Sequence, residues 1–183
     1  MTFVRDLVAQ KKEIILVGTK RQASAIIKEE ALKAGAPYIS IRWMGGIITN
    51  WEQIKKSLDR IKDLEEKKAK GELKKYTKKE NLLIDRDIAK VDRFLGGLRN
   101  LTQVPAAVFI VDVKKEIAAV REARTKGLTV VGIVDTNADP DLVDFSIPAN
   151  DDAVSSIKFI VGKICQAYQD GKALQPKDLT NDK

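Results

Sequence analysis

Residues 13–35 read EIILVGTKRQASAIIKEEALKAG, and the pattern within this stretch decides the fold. It opens with a short apolar, β-branched run over residues 13–17, which is typical of a strand buried on both faces of a parallel sheet. A helical pattern follows over residues 19–34, where Thr19 and Gln22 are spaced as a capping box and the final glycine is a stop signal. The stretch therefore predicts a strand followed directly by a helix.

The same alternation of strand and helix continues toward the C terminus. Apolar runs over residues 106–111 and 128–134 predict two further strands, and a helical pattern over residues 114–126 lies between them. A turn-rich segment, a short edge strand over residues 145–147 and a final helix over about residues 151–169 complete the pattern. This order predicts an α/β fold with a doubly wound parallel sheet.

Residues 51–95 interrupt the alternation, because two helical segments follow each other with no strand pattern between them. Thr77 and Glu80 are spaced as a capping box for the second segment. The interruption predicts an inserted α-helical hairpin with a coiled-coil seam. The apolar residues at coiled-coil spacing are Ile54, Leu58 and Ile61 in the first segment and Ile84, Ile88, Val91 and Leu95 in the second.

The predicted organisation is a single α/β domain over residues 1–50 and 96–175, the hairpin over residues 51–95 and a polar C-terminal tail over residues 176–183. The chain of 183 residues is long enough for one well-buried domain. Its formal net charge of +7 arises from 33 basic and 26 acidic residues. Such an excess makes a nucleic acid the leading class of partner, although many mildly basic proteins bind none.

Cys165 is the only cysteine, and the sequence contains no histidine. A disulfide within the chain is therefore excluded, as are Ser-His and Cys-His catalysis and the usual zinc sites. Carboxylate or lysine chemistry remains open. The sequence has no run of about 20 apolar residues that could cross a bilayer, and residues 1–12 lack the core of a signal peptide. We therefore expect a cytoplasmic protein with no membrane partner.

The turn Gly18-Thr19-Lys20-Arg21 follows the first predicted strand and opens a helix. Free N–H groups and the helix dipole favour a phosphate at such a position, and Lys20 and Arg21 would add positive charge. Neither a Walker loop nor a dinucleotide fingerprint is complete, because each requires further glycines. A capped helix start with two solvated cations explains the same residues equally well.

A second candidate site is the loop RWMGGIITNW, residues 42–51, which combines a guanidinium group, two indoles and a Gly-Gly pair. Arginine binds phosphate in a fork geometry, glycine permits close approach, and an exposed indole can stack on an unpaired base. Large aromatic side chains are mostly buried, so the favoured alternative places Trp43 and Trp51 in the core at the hairpin's base. The RNA-binding residues predicted in this loop are Arg42, Gly45, Gly46 and Asn50.

Lysines are concentrated on the predicted hairpin and outnumber acidic residues at its tip. Lysines that contact phosphates release counterions, so this kind of RNA binding weakens as salt rises. The alternative is a solvated face with local ion pairs, because acidic residues are interspersed. The predicted RNA-binding lysines are Lys55, Lys56, Lys74, Lys75, Lys78 and Lys79.

Asp135 and Asp139 lie in a turn at residues 135–140 that follows a predicted strand, where open α/β folds commonly bind ligands. The two carboxylates could bind Mg²⁺ or act as an acid/base pair. The favoured alternative is a turn whose aspartate and asparagine side chains cap backbone groups ahead of Pro140.

Five segments, in this order along the chain, resemble the family of bacterial-type small-subunit ribosomal protein two. The segments are VGTKRQA at residues 17–23, RWMGGIITNW at 42–51, FLGGL at 94–98, IVDTNADP at 133–140 and IPANDDA at 147–153. The resemblance implies a flavodoxin-like parallel sheet with helices on both faces and a protruding coiled-coil hairpin. It also implies contact with small-subunit rRNA and with neighbouring ribosomal proteins, in bacteria including the large mRNA-binding first protein. Members of this family usually begin with roughly fifty further residues, which include a His-Phe-Gly-His-like stretch, ahead of the position of Met1.

These observations predict a non-enzymatic constituent of the small ribosomal subunit that needs no cofactor or metal and forms no homo-oligomer. The alternative is a small nucleotide- or sugar-phosphate-binding enzyme that uses residues 18–21 for phosphate and Asp135 or Asp139 for catalysis. On the ribosomal hypothesis, residues 18–21 and 42–51 follow successive strands and lie on one edge of the sheet. The phosphate contacts predicted on that edge are Lys20, Arg21 and Arg42.

Overall fold

The computed structural model describes residues 1–71 and 77–175. The helices are α1 (Thr2–Ala9), α2 (Arg21–Ala34), α3 (Trp51–Ala69), α4 (Lys78–Leu95), α5 (Ile117–Thr125) and α6 (Val154–Ala173). The strands are β1 (Ile14–Val17), β2 (Tyr38–Ile39), β3 (Ala107–Ile110), β4 (Thr129–Val134) and β5 (Phe145–Pro148). Short 3-10 turns lie at Gly96–Leu98 and Pro140–Leu142. None of the described helices has both the length and the apolar character needed to cross a membrane.

The described strands form one parallel sheet in the order β2-β1-β3-β4-β5. β1 pairs with β2 on one side and with β3 on the other, so that Leu16 lies between Tyr38 and Phe109. α2 connects β1 to β2, and α5 connects β3 to β4, as crossovers between parallel strands require. This strand order is that of flavodoxin-like doubly wound folds, so the predicted fold class is confirmed.

Alternate residues of β1 belong to two different hydrophobic layers. Ile14 and Leu16 pack with α1, α2 and α6 on one face of the sheet. Ile15 and Val17 pack with α5, the base of α3 and the loop after β2 on the other face. All four side chains are fully buried, and burial of an aliphatic side chain of this size contributes about 1.5–3 kcal/mol. Both layers of the core therefore form around β1.

Helix α1 has no counterpart among the predicted elements. Its buried residues Val4, Leu7 and Val8 lie on one face at helical spacing, and this face packs against α6. The close approach of the two helices requires Gly171, because an added Cβ there would lie 2.5 Å from the carbonyl oxygen of Arg5. α1 thus covers part of the first hydrophobic layer.

The start of α2 also differs from the prediction. The capping box predicted for Thr19 and Gln22 is wrong, because the helix begins at Arg21 and Lys20 occupies the N-cap position without a side-chain cap. The hydroxyl of Thr19 donates instead to the carboxylate of Glu116. A tertiary hydrogen bond has replaced the local one at this position.

α3 and α4 pack side by side as a helical hairpin. The most deeply buried residues of its seam are Leu58, Ile61 and Leu95, all toward the base. The capping box predicted for Thr77 and Glu80 is confirmed, since each residue's side chain accepts the other's backbone N–H. The division of the chain into an α/β domain and an inserted hairpin stays a prediction.

Three charged residues fix the base of the hairpin. The guanidinium group of Arg99, which follows the first 3-10 turn, donates to both carboxylate oxygens of Glu65 on α3, each at 2.8 Å. It also lies 2.9 Å from Asp92 Oδ1 on α4. Bidentate pairing of this kind restricts geometry as well as contributing energy. Arg99 therefore ties both hairpin helices to the segment that leads into β3.

Two glycines of α6 offer a matched test of how α1 docks. In Gly171→Ala the new Cβ would clash with the backbone of Arg5, so we expect the free energy of unfolding to fall by about 1–3 kcal/mol. In Gly162→Ala the new Cβ meets no atom within 4 Å, and the better helix propensity of alanine should raise that free energy by about 1 kcal/mol. Urea denaturation measures both values. Stabilisation by both substitutions would contradict the close contact between α1 and α6.

Candidate nucleic-acid interface

The carboxyl ends of β1 and β3 lie side by side, at the point where the strand order changes direction. Open α/β folds commonly bind ligands in the crevice at this point. In this chain the ammonium group of Lys20 lies in that crevice. Its Nζ lies 2.7 Å from Asp151 Oδ1, 2.6 Å from Asp152 Oδ1 and 3.4 Å from Asp112 Oδ2. We refer to these four residues as the Lys20 ion cluster.

The surroundings of Lys20 keep its ammonium group charged. Burial alone would lower the pKa of Lys20, but hydrogen bonds to Asp151 and Asp152 and the charge of Asp112 outweigh it and raise the pKa. The side chain of Lys20 is 17% exposed, and that of Asp151 is 2% exposed. The structure therefore places Lys20 in an internal ion cluster, whereas the sequence had predicted a phosphate contact.

Glu116 closes the same crevice from the start of α5. Its side chain is buried and accepts the hydroxyl hydrogen of Thr19. Burial raises the pKa of Glu116, and the hydrogen bond from Thr19 offsets part of that effect. Lys115 Nζ donates to the carbonyl oxygen of Thr19 at 3.2 Å. The turn after β1 therefore finds its polar partners within the chain.

The loop at residues 42–51 folds around the carboxylate of Glu122 on α5. Oε1 of Glu122 accepts the N–H of Gly46 at 2.6 Å. Oε2 accepts the N–H of Ile48 at 3.1 Å and that of Thr49 at 3.4 Å. Backbone N–H groups that converge in this way form an anion-binding nest. The anion in this nest is the chain's own glutamate, and we call the arrangement the Glu122 nest.

The two tryptophans of the loop belong to the core. Trp43 is 6% exposed and Trp51 is 7% exposed, which confirms the favoured interpretation of their role. Trp43 Nε1 also donates to Glu122 Oε1 at 3.4 Å. Gly46 has a φ of 94°, which side-chain-bearing residues rarely adopt, so the loop conformation itself requires this glycine. Sequence reasoning missed Glu122, because it is 76 residues from Gly46 and no local pattern links them.

Asp135 and Asp139 accept backbone N–H groups in the turn after β4. Asp135 accepts from Thr136 at 2.6 Å and from Asp151 at 3.2 Å, and these hydrogen bonds lower the pKa of Asp135. Asp139 accepts from Asp141 at 2.9 Å. This is the geometry of the capping turn that the sequence favoured. Within residues 1–71 and 77–175, no three cysteine or carboxylate side chains converge as metal ligands would.

Residues 1–171 match the model of a family described as ribosomal protein S2. The chain belongs to the ribosomal protein S2 family. The resemblance drawn from the five sequence segments is thereby confirmed, and it extends over nearly the whole chain. The turn after β1, the loop around Glu122 and the turn after β4 all lie within the matched residues.

Curated relatives of this ribosomal protein S2 family member bear the name small ribosomal subunit protein uS2. The protein from a Synechocystis species is 44% identical over 180 residues, covering 98% of this chain and 66% of the relative. The protein from a Psychrobacter species is 45% identical over 172 residues, covering 94% and 66%. The protein from Trichormus variabilis is 46% identical over 170 residues, covering 93% and 64%. The chain thus spans about two thirds of the length of these relatives.

Two of the residues predicted to contact RNA phosphates lie on one edge of the sheet. Arg21 follows β1 and Arg42 follows β2, and these strands are parallel neighbours, so both residues emerge where the strands end. Both side chains are exposed. Neither forms an ion pair with a carboxylate in the part of the chain that the structure describes. Their guanidinium groups are therefore available to an outside anion.

The other predicted contacts lie near or on the hairpin. Asn50 is exposed at the N-cap position of α3. Lys55 donates from Nζ to the carbonyl oxygen of Thr102 at 3.2 Å. Whether these residues touch RNA stays a prediction. Of the remaining lysines predicted to bind RNA, Lys56, Lys78 and Lys79 are exposed, whereas Lys74 and Lys75 lie outside the described residues.

Replacing Lys20 with methionine tests whether the Lys20 ion cluster is structural. The change leaves the buried carboxylate of Asp151 without its counter-charge, so we expect the free energy of unfolding at neutral pH to fall by about 3–5 kcal/mol. Lys33→Met is the matched control, because the ion pairs of Lys33 with Glu29 and Glu30 lie on the surface, where solvent screens them, and their loss should change stability far less. Equal effects in urea denaturation would contradict the structural role.

Glu122→Gln tests the Glu122 nest. Hydrogen bonds to a charged group contribute about 1.5–3 kcal/mol, and we expect a loss of stability in this range. The amide protons of Gly46 and Ile48 should also exchange faster with solvent, as amide-resolved NMR can measure. Glu66→Gln, which removes an exposed carboxylate from α3, should change stability by less than about 0.5 kcal/mol. Unchanged exchange at both amides would be incompatible with the nest.

Proposed function

We propose that this chain is a structural constituent of the small ribosomal subunit, which binds small-subunit rRNA and supports translation without catalysing a reaction. The observation that carries the proposal is the match of residues 1–171 to the ribosomal protein S2 family. Relatives that align with nearly the whole chain are named as proteins of the small subunit. The net charge of +7 adds an attraction for a polyanion.

The crevice between β1 and β3 argues against a nucleotide- or sugar-phosphate-binding enzyme. A phosphate bound at residues 18–21 would compete with the three carboxylates that surround Lys20, and it would be repelled by their charge. Asp135 and Asp139 already accept backbone N–H groups. Lys20 and the two carboxylates that such an enzyme would use therefore already have partners within the chain.

The RNA-facing surface that we propose combines the edge of the sheet with the hairpin. Arg21 and Arg42 bind phosphate oxygens on that edge, since a guanidinium group matches phosphate geometry and both side chains are exposed. The Glu122 nest fixes the loop that carries Arg42, and the Lys20 ion cluster fixes the turn that precedes Arg21. The hairpin and its base contribute Asn50, Lys55, Lys56, Lys74, Lys75, Lys78 and Lys79.

Neighbouring ribosomal proteins are the second class of partner that we propose, in bacteria including the large mRNA-binding first protein of the subunit. Relatives that align with nearly the whole chain are named as proteins of the small ribosomal subunit, and this supports neighbouring proteins of that subunit as partners. The proposed location is accordingly the ribosome in the cytoplasm.

Co-sedimentation with small subunits that lack their native uS2 protein tests the proposed function. We expect the folded chain to bind them at low salt, and Arg42→Glu to weaken binding at least about tenfold through loss of a charge-assisted hydrogen bond. The stability of that variant should stay within about 0.5 kcal/mol of the wild type, because Arg42 is exposed. Lys12→Glu is the control, since Lys12 is exposed at the opposite edge, just before β1. Failure of the folded wild type to sediment would contradict the proposal.

A further inference from the structure

A cleft of about 1170 Å³ lies between α2 and the base of the hairpin. One wall is the exposed side of α2, and the other is formed by the end of α4 and the 3-10 turn that follows it. Tyr38 and Ser40, at the end of β2, line it between the walls. The cleft is separate from the Lys20 ion cluster, because none of the four residues of that cluster lines it.

The cleft has an excess of positive charge. Five cationic residues line it, and four of them form no ion pair with a carboxylate among residues 1–71 and 77–175. Two carboxylates, Glu65 and Asp92, also line the cleft, but both pair with Arg99. The four cationic residues that form no ion pair with these carboxylates are Arg21 and Lys28 on α2, Arg93 on α4 and Lys115 before α5.

The cations in the cleft are held in different ways. The guanidinium group of Arg93 lies 5.5 Å from the centre of the Phe94 ring, an arrangement that leaves its N–H groups free to donate. Lys115 Nζ is already anchored on a carbonyl oxygen. Tyr38 and Ser24 add neutral hydroxyl groups, and partial burial together with the charge of Asp92 raises the pKa of Tyr38. Tyr38 therefore remains a hydrogen-bond donor.

The spacing of these charges favours an extended polyanion over a small phosphate compound. Arg21 and Lys28 are seven positions apart on α2, about two helical turns or about 10 Å along the axis. Arg93 lies on the opposite wall, so the cations do not converge on one point. A chain of phosphates can meet such charges in sequence, whereas a single phosphate group meets only one of them. Each contact also releases counterions when the ligand is a nucleic acid.

We propose that this cleft holds a segment of the phosphodiester backbone of small-subunit rRNA, with Arg21, Lys28 and Arg93 as its principal contacts. The inference rests on the proposed function and adds a site that the sequence did not suggest, since Lys28, Arg93 and Lys115 fall in no motif. Arg99 acts as a positioning residue, because it neutralises the two acidic side chains and fixes the wall of the cleft that the hairpin provides.

The salt dependence of binding to transcribed small-subunit rRNA tests this site. The cleft variant replaces Arg21, Lys28 and Arg93 with glutamine, and the control variant replaces Lys12, Lys126 and Lys158, which are exposed and lie outside the cleft. Both variants lose three charges. We expect the slope of log affinity against log salt to fall by about 2–3 in the cleft variant, and clearly less in the control. Equal losses would overturn the cleft site but not the proposed function, whereas absence of binding by the wild type would overturn both.

Directed hydroxyl-radical cleavage provides a second test that does not depend on removing charge. An iron chelate attached at Ser24→Cys, inside the cleft, should cut the bound rRNA, while the same chelate at the exposed position Thr125→Cys should not. The native thiol of Cys165 does not interfere, because it is buried and burial raises its pKa to about 12. Cleavage from Thr125→Cys alone, with both labelled proteins bound, would overturn the cleft site.

Discussion

Strand β1 must be covered on both faces, because Ile14–Val17 exposes none of its side chains to solvent. That constraint requires helices on each side of the sheet and a tight exit from the strand. At Gly18 an added Cβ would lie 2.7 Å from Ile27 Cγ1 and 3.2 Å from Val111 Cγ2. The glycine therefore allows α2 and the end of β3 to close around the strand. The turn that begins there brings Lys20 to the middle of the sheet edge.

The position of that turn determines whether the crevice between β1 and β3 can bind a ligand. In many proteins of this strand order the crevice between the first and third strands receives a ligand. In this chain the crevice is filled by the Lys20 ion cluster, so its residues stabilise the fold. The neighbouring loop follows the same principle, since the Glu122 nest holds an internal anion. Exposed cations around these two filled sites remain available for a large external anion.

The elements that the sequence predicted correctly have local signals. Apolar runs predicted the three central strands, and the Thr77 capping box joins residues only three positions apart. The role of the tryptophans followed from the general tendency of large aromatic side chains to be buried. The partners of Lys20 and Glu122 could not be predicted, because Asp151 lies 131 residues from Lys20 and Gly46 lies 76 residues from Glu122. The Thr19 capping box failed for a related reason, since a distant glutamate is the partner of its hydroxyl.

The chain itself closes the crevice between β1 and β3, and we propose that RNA binds to the outer surface around it. Hydrogen–deuterium exchange tests this directly, by comparing the free chain with the chain in the presence of small-subunit rRNA and, separately, of ADP. We expect rRNA to slow exchange in α2 and in residues 40–50, and ADP to change nothing. Slower exchange with ADP at residues 18–20 and 151–153, with no effect of rRNA, would contradict the proposal.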